Sequence, residues 1–392
     1  AQMTLSKIEH LSKADIIKNG SVFTPDYIVH IARSWLSPNL NTNDYIIDFG
    51  AGYGSFISQF INLSNRCKAT DIDSLSIQLV NKMFPSVETY VENSLININR
   101  EKYNISANDK LFIIGNPPYN DVTSQYKKGQ KGSFDIDYSV KSRDLGISFL
   151  KMYALLDADY ICVLHPLSYL IKKANFSALS FFKNEYVLEK GMIFSSKHFE
   201  SIKRTNIEFP VVLALYKKEF GGMRDYNFIR SFKFEILNST KTFRLKDFIT
   251  IDGIINKYPT KNTCINDLQF YTIRDINALR RNTSFINGNS NNSIKVSIND
   301  LYKYAWIDYF KAHFNPKYYF LYGNLSPFYH NDIELPDTKR ELISYIISTN
   351  RIVSNYYVNQ LPLLYSHYQM SQIKEQYPNL SRIMKEILEK IE

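Results

Sequence analysis

Residues Asp44–Leu63 read DYIIDFGAGYGSFISQFINL. The first six form a short run with two β-branched residues and an acidic residue, Asp48, near its end; three glycines follow at Gly50, Gly52 and Gly54. Beyond them the apolar residues recur at helical spacing, so the stretch predicts strand, tight turn and helix in succession. Glycines at such a turn let bare backbone come close to a ligand at the carboxyl end of a sheet. The spacing departs from the GxGxxG of nicotinamide dinucleotide sites, because Gly54 follows Gly52 by two residues instead of three. Taken alone, the turn also fits a strand-to-helix connection that holds no ligand.

Working outward, Lys68–Ile72, Lys110–Ile114, Ala158–Leu164 and Pro210–Tyr216 read as further strands, with helix-like stretches between several of them. This rhythm predicts an α/β domain with a mixed, mostly parallel sheet. A chain of 392 residues is long enough for two domains. The Phe220-Gly221-Gly222 punctuation divides it into residues 1–220 and residues 221–392. The second segment, rich in Tyr, Asn, Arg and Lys, is expected to be α+β, and it ends in a helix from about Asn379 to Ile391. Leu380, Ile383, Met384, Ile387, Leu388 and Ile391 form one apolar stripe there, the pattern of a packing helix.

Composition narrows the class. Hydrophobic residues are 44% and charged residues 22%, a globular mix. The net charge of +9 favours a polyanionic partner, nucleic acid before an anionic membrane surface. Residues 1–220 carry 25 basic and 22 acidic side chains, and residues 221–392 carry 22 and 16, which places +6 of the excess in the smaller segment. No apolar run approaches the roughly 20 residues of a membrane span. The first twenty residues lack a secretory pattern. Three scattered cysteines and seven dispersed histidines predict neither zinc ligation nor a disulfide scaffold, and fit a reducing cytoplasm.

Other motifs carry chemistry. Asp71 ends the second strand, about where a doubly wound sheet holds ribose hydroxyls, whereas Asp73 fits the N-cap of the next helix. Glu92-Asn93-Ser94-Leu95 is a polar cluster within reach of an adenine ring, or an ordinary turn. The decisive run is Ile113–Asn120, IIGNPPYN. At frequencies of roughly 5% or less for each residue, Asn-Pro-Pro-Tyr arises by chance in a chain of this length about once in a thousand. Two prolines stiffen the loop and present the Asn116 side-chain carbonyl and the Pro117 main-chain carbonyl as paired acceptors for an exocyclic amine. Pro118 completes the stiff turn, and Tyr119 offers a face for stacking a planar ring.

At these motifs the chain resembles the S-adenosylmethionine-dependent amino-methyltransferases, and among them the adenine-N6 DNA methyltransferases ordered cofactor motif, catalytic motif, target-recognition domain. The resemblance spans about residues 20–217. Gly20–Pro25 (GSVFTP) is similar to the family's N-terminal motif, DFGAGYG to its cofactor motif, NPPY to its catalytic motif, and His165–Leu170 (HPLSYL) to the segment that follows. The resemblance implies a Rossmann-like catalytic domain at 1–220 and a DNA target-recognition domain at 221–392. It implies cofactor contacts from Phe23, Thr24, Asp48, Gly50, Gly52, Asp71, Ile72 and Asn93, where Asn93 replaces the Asp of many relatives. Asn116, Pro117, Pro118 and Tyr119 would be catalytic, and Tyr119 would stack one face of the target base. Phe199, with Phe194 as its rival, would cover the other face.

The reaction so implied needs no covalent intermediate and no metal. Hydrogen bonds from N6 to Asn116 and to the Pro117 carbonyl localise the nitrogen lone pair for in-line attack on the sulfonium methyl, after the base has been flipped out of the duplex. Phosphate contacts are expected from Lys127, Lys128, Lys131, Lys141 and Arg143, from Lys203-Arg204 and from Arg280-Arg281, each of which also reads as ordinary charged surface. The resulting expectation is a bacterial or archaeal cytoplasmic modification enzyme of a restriction system. Its partner would be double-stranded DNA, alongside a separate endonuclease with the same site, with no membrane and as a monomer. RNA or protein-glutamine methylation at the same NPPY site is the alternative, and a non-catalytic DNA-binding subunit is a third.

Overall fold

The computed structural model describes residues 22–118, 135–201, 209–261, 263–273, 281–288, 290–314, 327–371 and 376–391. The chain forms two compact units, Ala1–Leu245 and Lys246–Glu392.

Strand β1 (Tyr45–Phe49) lies inside the nine-stranded sheet of the first unit. Strands β2 (Arg66–Asp71), β3 (Glu88–Val91), β4 (Leu111–Gly115) and β5 (Tyr160–Pro166) run parallel to it. After β6 (Tyr186–Ser195), β7 (Pro210–Lys218) returns antiparallel between β5 and β6. Two short strands extend the edge: β8 (Phe234–Ile236) pairs parallel with β6, and β9 (Thr242–Phe243) antiparallel with β8. The order is therefore β9-β8-β6-β7-β5-β4-β1-β2-β3. It reverses between β1 and β4, the place where the carboxyl ends of a doubly wound sheet open a crevice. This is a mixed, mostly parallel, Rossmann-like sheet.

Strands covered on both faces read as unbroken apolar runs, which is why LFIIG and YICVL carry no alternation. Helix α1 (Asp26–Leu36) buries Ile28, Val29, Ala32 and Leu36 in one core with Ile46, Phe112, Ile114, Leu164 and Leu213. Helix α2 (Ser74–Met83) starts at Asp73, whose carboxylate accepts from the Leu75 and Ser76 amides, so Asp73 takes the capping role. Helix α3 (Leu145–Leu155) is buried along nearly its whole length.

Three local expectations change. SFISQFINL forms only a 3-10 turn, Ile57–Gln59, amid tight turns. There the Asp48 carboxylate takes the Ile57 amide at 3.2 Å, and Gln59, Phe60 and Leu63 bond three residues back, not four. Strand β6 had no signal in the alternation, because Glu189 and Lys190 interrupt it at a register shift opposite β7. Gly221 and Gly222 lie inside the first unit. A Cβ on Gly222 would meet the Lys183 and Tyr186 carbonyls at 2.4 and 2.7 Å, so this glycine marks close packing within the unit.

The second unit is α+β. It holds a three-stranded antiparallel sheet, Phe285–Ile286, Gln269–Tyr271 and Ser293–Lys295 in that order, and a small pair, Ile249–Thr250 with Phe328–Tyr329. Helices α4 (Leu301–His313), α5 (Pro336–Thr349) and α6 (Pro378–Ile391) pack with them. Trp306 is fully buried and donates its indole N–H to the Phe328 carbonyl at 2.8 Å. On α6, Leu380, Ile383, Met384 and Ile387 are buried, as the stripe predicts, and Glu341 of α5 accepts from the Asn379 and Leu380 amides at its start.

Candidate active site

The glycine turn follows β1 and the NPP turn follows β4, so adjacent parallel strands bring the two together at the switch point. Their contact is close: a Cβ on Gly50 would lie 3.5 Å from Cδ of Pro118. Gly50, Gly52 and Gly54 adopt φ of 70°, 53° and 81°, in the left-handed region that favours glycine. Among the described residues nothing lies within 4 Å of a Cβ built on Gly52.

Two carboxylates serve the turn. Asp71 at the end of β2 accepts the Gly52 amide at 2.8 Å through one oxygen and the Asp73 amide at 2.9 Å through the other. Asp48 is buried; its Oδ2 accepts from Ile57, and its Oδ1 has no hydrogen-bond partner among the described residues. Burial raises the Asp48 carboxyl well above the ordinary carboxylate range; the Ile57 amide opposes that shift and the nearby Asp71 charge adds to it. Burial likewise raises Asp71, against the pull of its amide donors.

Asn116 leaves β4 with its amide poised. Nδ2 faces the Thr24 hydroxyl at 3.4 Å, and Oδ1 is buried with no partner among the described residues. Thr24 is buried and follows the two-residue strand Val22–Phe23, which pairs with Glu200–Ser201. Phe23 thus has its backbone in that strand. Gly115, at φ 138°, has no room for a side chain, since a Cβ would sit 2.6 Å from Oδ1 of Asp48. Pro117 is buried and Pro118 exposed. Tyr119 lies outside the described residues, as do Lys127, Lys128, Lys131, Lys203, Arg204 and Arg280.

Ile72 is 55% exposed directly after Asp71 and presents an apolar side chain at the rim. Asn93 accepts the Leu95 amide at 3.0 Å and donates Nδ2 to the Asp135 carbonyl at 2.7 Å. A carboxylate could not make that second bond, which accounts for an amide at this position. Phe199 and Phe194 are both buried and meet edge to face with centroids 5.7 Å apart, so each packs in the core in this conformation. Lys141 and Arg143 are exposed, and Arg281 stacks its guanidinium 5.1 Å from the Tyr271 ring.

Sequence reasoning did not find the Thr24–Asn116 contact, the Gly115–Asp48 fit, or the Tyr27–His198 pair, whose hydroxyl and Nδ1 lie 2.5 Å apart. Only the position of Thr24 in GSVFTP was a signal for any of them. Burial pushes the Cys67 thiol up to about 11 and Cys162 further, so neither is a thiolate at neutral pH. Among the described residues no group of three or more His, Cys, Asp or Glu could hold a metal ion, and no helix is long and apolar enough to cross a membrane.

No family model and no curated protein matches the chain. Solved structures do. A modification subunit ascribed to a type I restriction enzyme of Vibrio vulnificus is 12% identical, with 85% of this chain and 67% of that one covered and a TM-score of 0.42. The M protein of the type I restriction enzyme EcoKI is 11% identical over 57% of this chain and 51% of that one, with a TM-score of 0.40. A dimethyladenosine transferase from Plasmodium falciparum is 12% identical over 51% and 64%, with a TM-score of 0.33. At such identities and scores the fold rests on the strand order itself.

Proposed function

We propose that this protein is an S-adenosylmethionine-dependent methyltransferase that methylates N6 of an adenine flipped out of duplex DNA, as the modification enzyme of a restriction system. The observation that carries the reading is the Asn116 carbonyl: a buried acceptor without a partner among the described residues, fixed after a parallel strand beside a glycine turn. A buried polar atom left unpaired costs about 1–3 kcal/mol, so its partner is expected in the bound state.

The residues at the turn fit the cofactor. Asp48 presents a buried carboxylate oxygen with no partner among the described residues, and a cationic group beside it would bring the raised pKa of the carboxyl back down. Asp71 orients the Gly52 amide and keeps further lone pairs for ribose hydroxyls, and Ile72 offers apolar surface to a planar base. Bound there, S-adenosylmethionine supplies an electrophilic methyl group on a sulfonium. Phe23, Thr24, Gly50 and Asn93 complete the proposed binding set.

For the target, Asn116 Oδ1 and the Pro117 carbonyl accept the two N6 hydrogens, which holds the nitrogen pyramidal and its lone pair available. Thr24 keeps Nδ2 of Asn116 turned away, so that the carbonyl faces the amine. Pro118 fixes the turn, and Tyr119 and Phe199 are the proposed stacking residues. Catalysis is then positioning and preorganised acceptors. Residues 1–220 carry catalysis in this proposal, and target recognition lies in 221–392, whose first stretch to Leu245 packs with the catalytic sheet. Transfer of a tritiated methyl to duplex DNA, with RNA and protein glutamine substrates run in parallel, tests the reading. Labelling of DNA is expected, and labelling of RNA or protein alone would contradict it.

A further inference from the structure

The basic excess beyond Gly221 is not confined to the second unit. Residues 221–245 hold Arg224, Arg230, Lys233, Lys241 and Arg244 against Asp225 and Glu235, so +3 of the +6 belongs to the stretch that extends the catalytic sheet. Strand directions decide which end of that sheet it serves. β6 and β8 point the same way as β4 and β5, because β7 runs antiparallel to both β5 and β6. The turn Leu237–Lys241 therefore emerges at the carboxyl edge, the edge that carries Asn116.

That turn is built firmly. The Leu237 amide donates to the Ile193 carbonyl at 3.0 Å, Ser239 to Ile236 at 3.1 Å, and the Lys241 amide to the Ser239 hydroxyl at 3.1 Å. Asn238 adopts φ 58°, and Asn238, Ser239, Thr240 and Lys241 are all exposed. One strand spacing away, the turn after β6 carries exposed Lys197 and half-buried His198. His198 in turn meets the hydroxyl of Tyr27, one helical turn beyond Thr24, and Thr24 touches Asn116. Asp26 is the acidic residue on this stretch of α1. Polar, cationic and aromatic side chains thus follow the edge of one unit outward from the site.

We propose that this edge, from Tyr27 through Lys197 and His198 to Asn238–Lys241, holds the phosphodiester backbone of the DNA strand that flanks the target adenine. The inference rests on duplex DNA being the substrate. Four strand spacings of about 4.8 Å separate β4 from β8, roughly 19 Å. At a rise of 3.4 Å per nucleotide that is about five to six steps of DNA, within the footprint of a site-specific enzyme. Lys, Asn, Ser and Thr side chains are common phosphate ligands, and a phosphate track positions DNA without reading its sequence.

The test is duplex DNA binding as a function of salt for the wild type, Lys197→Gln/Lys241→Gln, the charge-preserving Lys197→Arg/Lys241→Arg, and Lys233→Gln, an exposed lysine at the opposite end of β8. Each lost phosphate contact lowers the slope of log affinity against log salt by about 0.9, so the Gln pair should flatten it by about 1.8. At about 0.1 M salt that is roughly eightfold weaker binding per lysine. The Arg pair and Lys233→Gln should keep the wild-type slope, and unchanged melting temperatures should confirm folding. A wild type that binds and methylates DNA while the Gln pair matches it would overturn the edge assignment alone. A wild type with no salt-dependent DNA binding, or a loss seen on RNA only, would overturn the substrate reading with it.

Discussion

Gly115→Ala probes the joint between the two motifs. At φ 138° the position disfavours any side chain, and an alanine Cβ would lie 2.6 Å from Oδ1 of Asp48 and 3.4 Å from the Phe49 carbonyl. The backbone strain costs about 1–3 kcal/mol. Forcing β4 and β1 apart by the contact costs about 1–3 kcal/mol more. The sum, about 2–6 kcal/mol, is a large share of the stability of one domain. Since Asp48 leads into the glycine turn and Gly115 into Asn116, the same shift should displace both. Denaturation should show the loss, and calorimetric titration with S-adenosylmethionine should show weakened binding. Asp48→Ala removes the offending oxygen, so the double variant should recover about 1–3 kcal/mol relative to additivity while the strain from φ remains. A Gly115→Ala protein as stable as the wild type, or a double variant that is strictly additive, would refute this account of the joint.

Thr24→Val leaves the Asn116 Nδ2 unpaired and should lower kcat about 3- to 10-fold, the worth of one hydrogen bond, with Thr24→Ser restoring it; a fully active Val variant would remove Thr24 from this role. His165 donates Nδ1 to the Pro166 carbonyl at 2.8 Å and accepts from the Tyr216 hydroxyl at 2.7 Å, and burial pushes its pKa down to about 4. The unfolded imidazole, near 6.5, takes a proton first, so its contribution to stability is complete above about pH 6.5 and is lost as the pH falls toward 4, by about 3 kcal/mol in all. Urea titrations at pH 7 and pH 4.5 should show that loss in the wild type and a smaller one in His165→Gln; equal losses would contradict it.

The strands next to the site were legible because burial on both faces writes itself as apolar runs, as in LFIIG, and because glycines at a ligand turn have few substitutes. What escaped depends on which groups meet in the folded chain. Helical spacing after Gly54 is outweighed by the Asp48 carboxylate, which takes the Ile57 amide and tightens the chain into a 3-10 turn. Gly221 and Gly222 look like punctuation, yet Gly222 is demanded by the Lys183 and Tyr186 carbonyls packed against it. Local sequence carries no trace of either neighbour. The same holds at the site: NPPY names the acceptors, but that Thr24 orients one of them and that Asn93 ties Asp135 follows only from contacts 92 and 42 residues apart in the chain.

The central claim is that Asn116 activates the amine of adenine in DNA. Mass spectrometry of nucleosides from duplex DNA incubated with S-adenosylmethionine and the protein measures it directly. The wild type should produce N6-methyldeoxyadenosine, and Asn116→Ala should produce none while still binding the cofactor. Methylation at any other base or only in RNA, or an Asn116→Ala protein as active as the wild type, would contradict it.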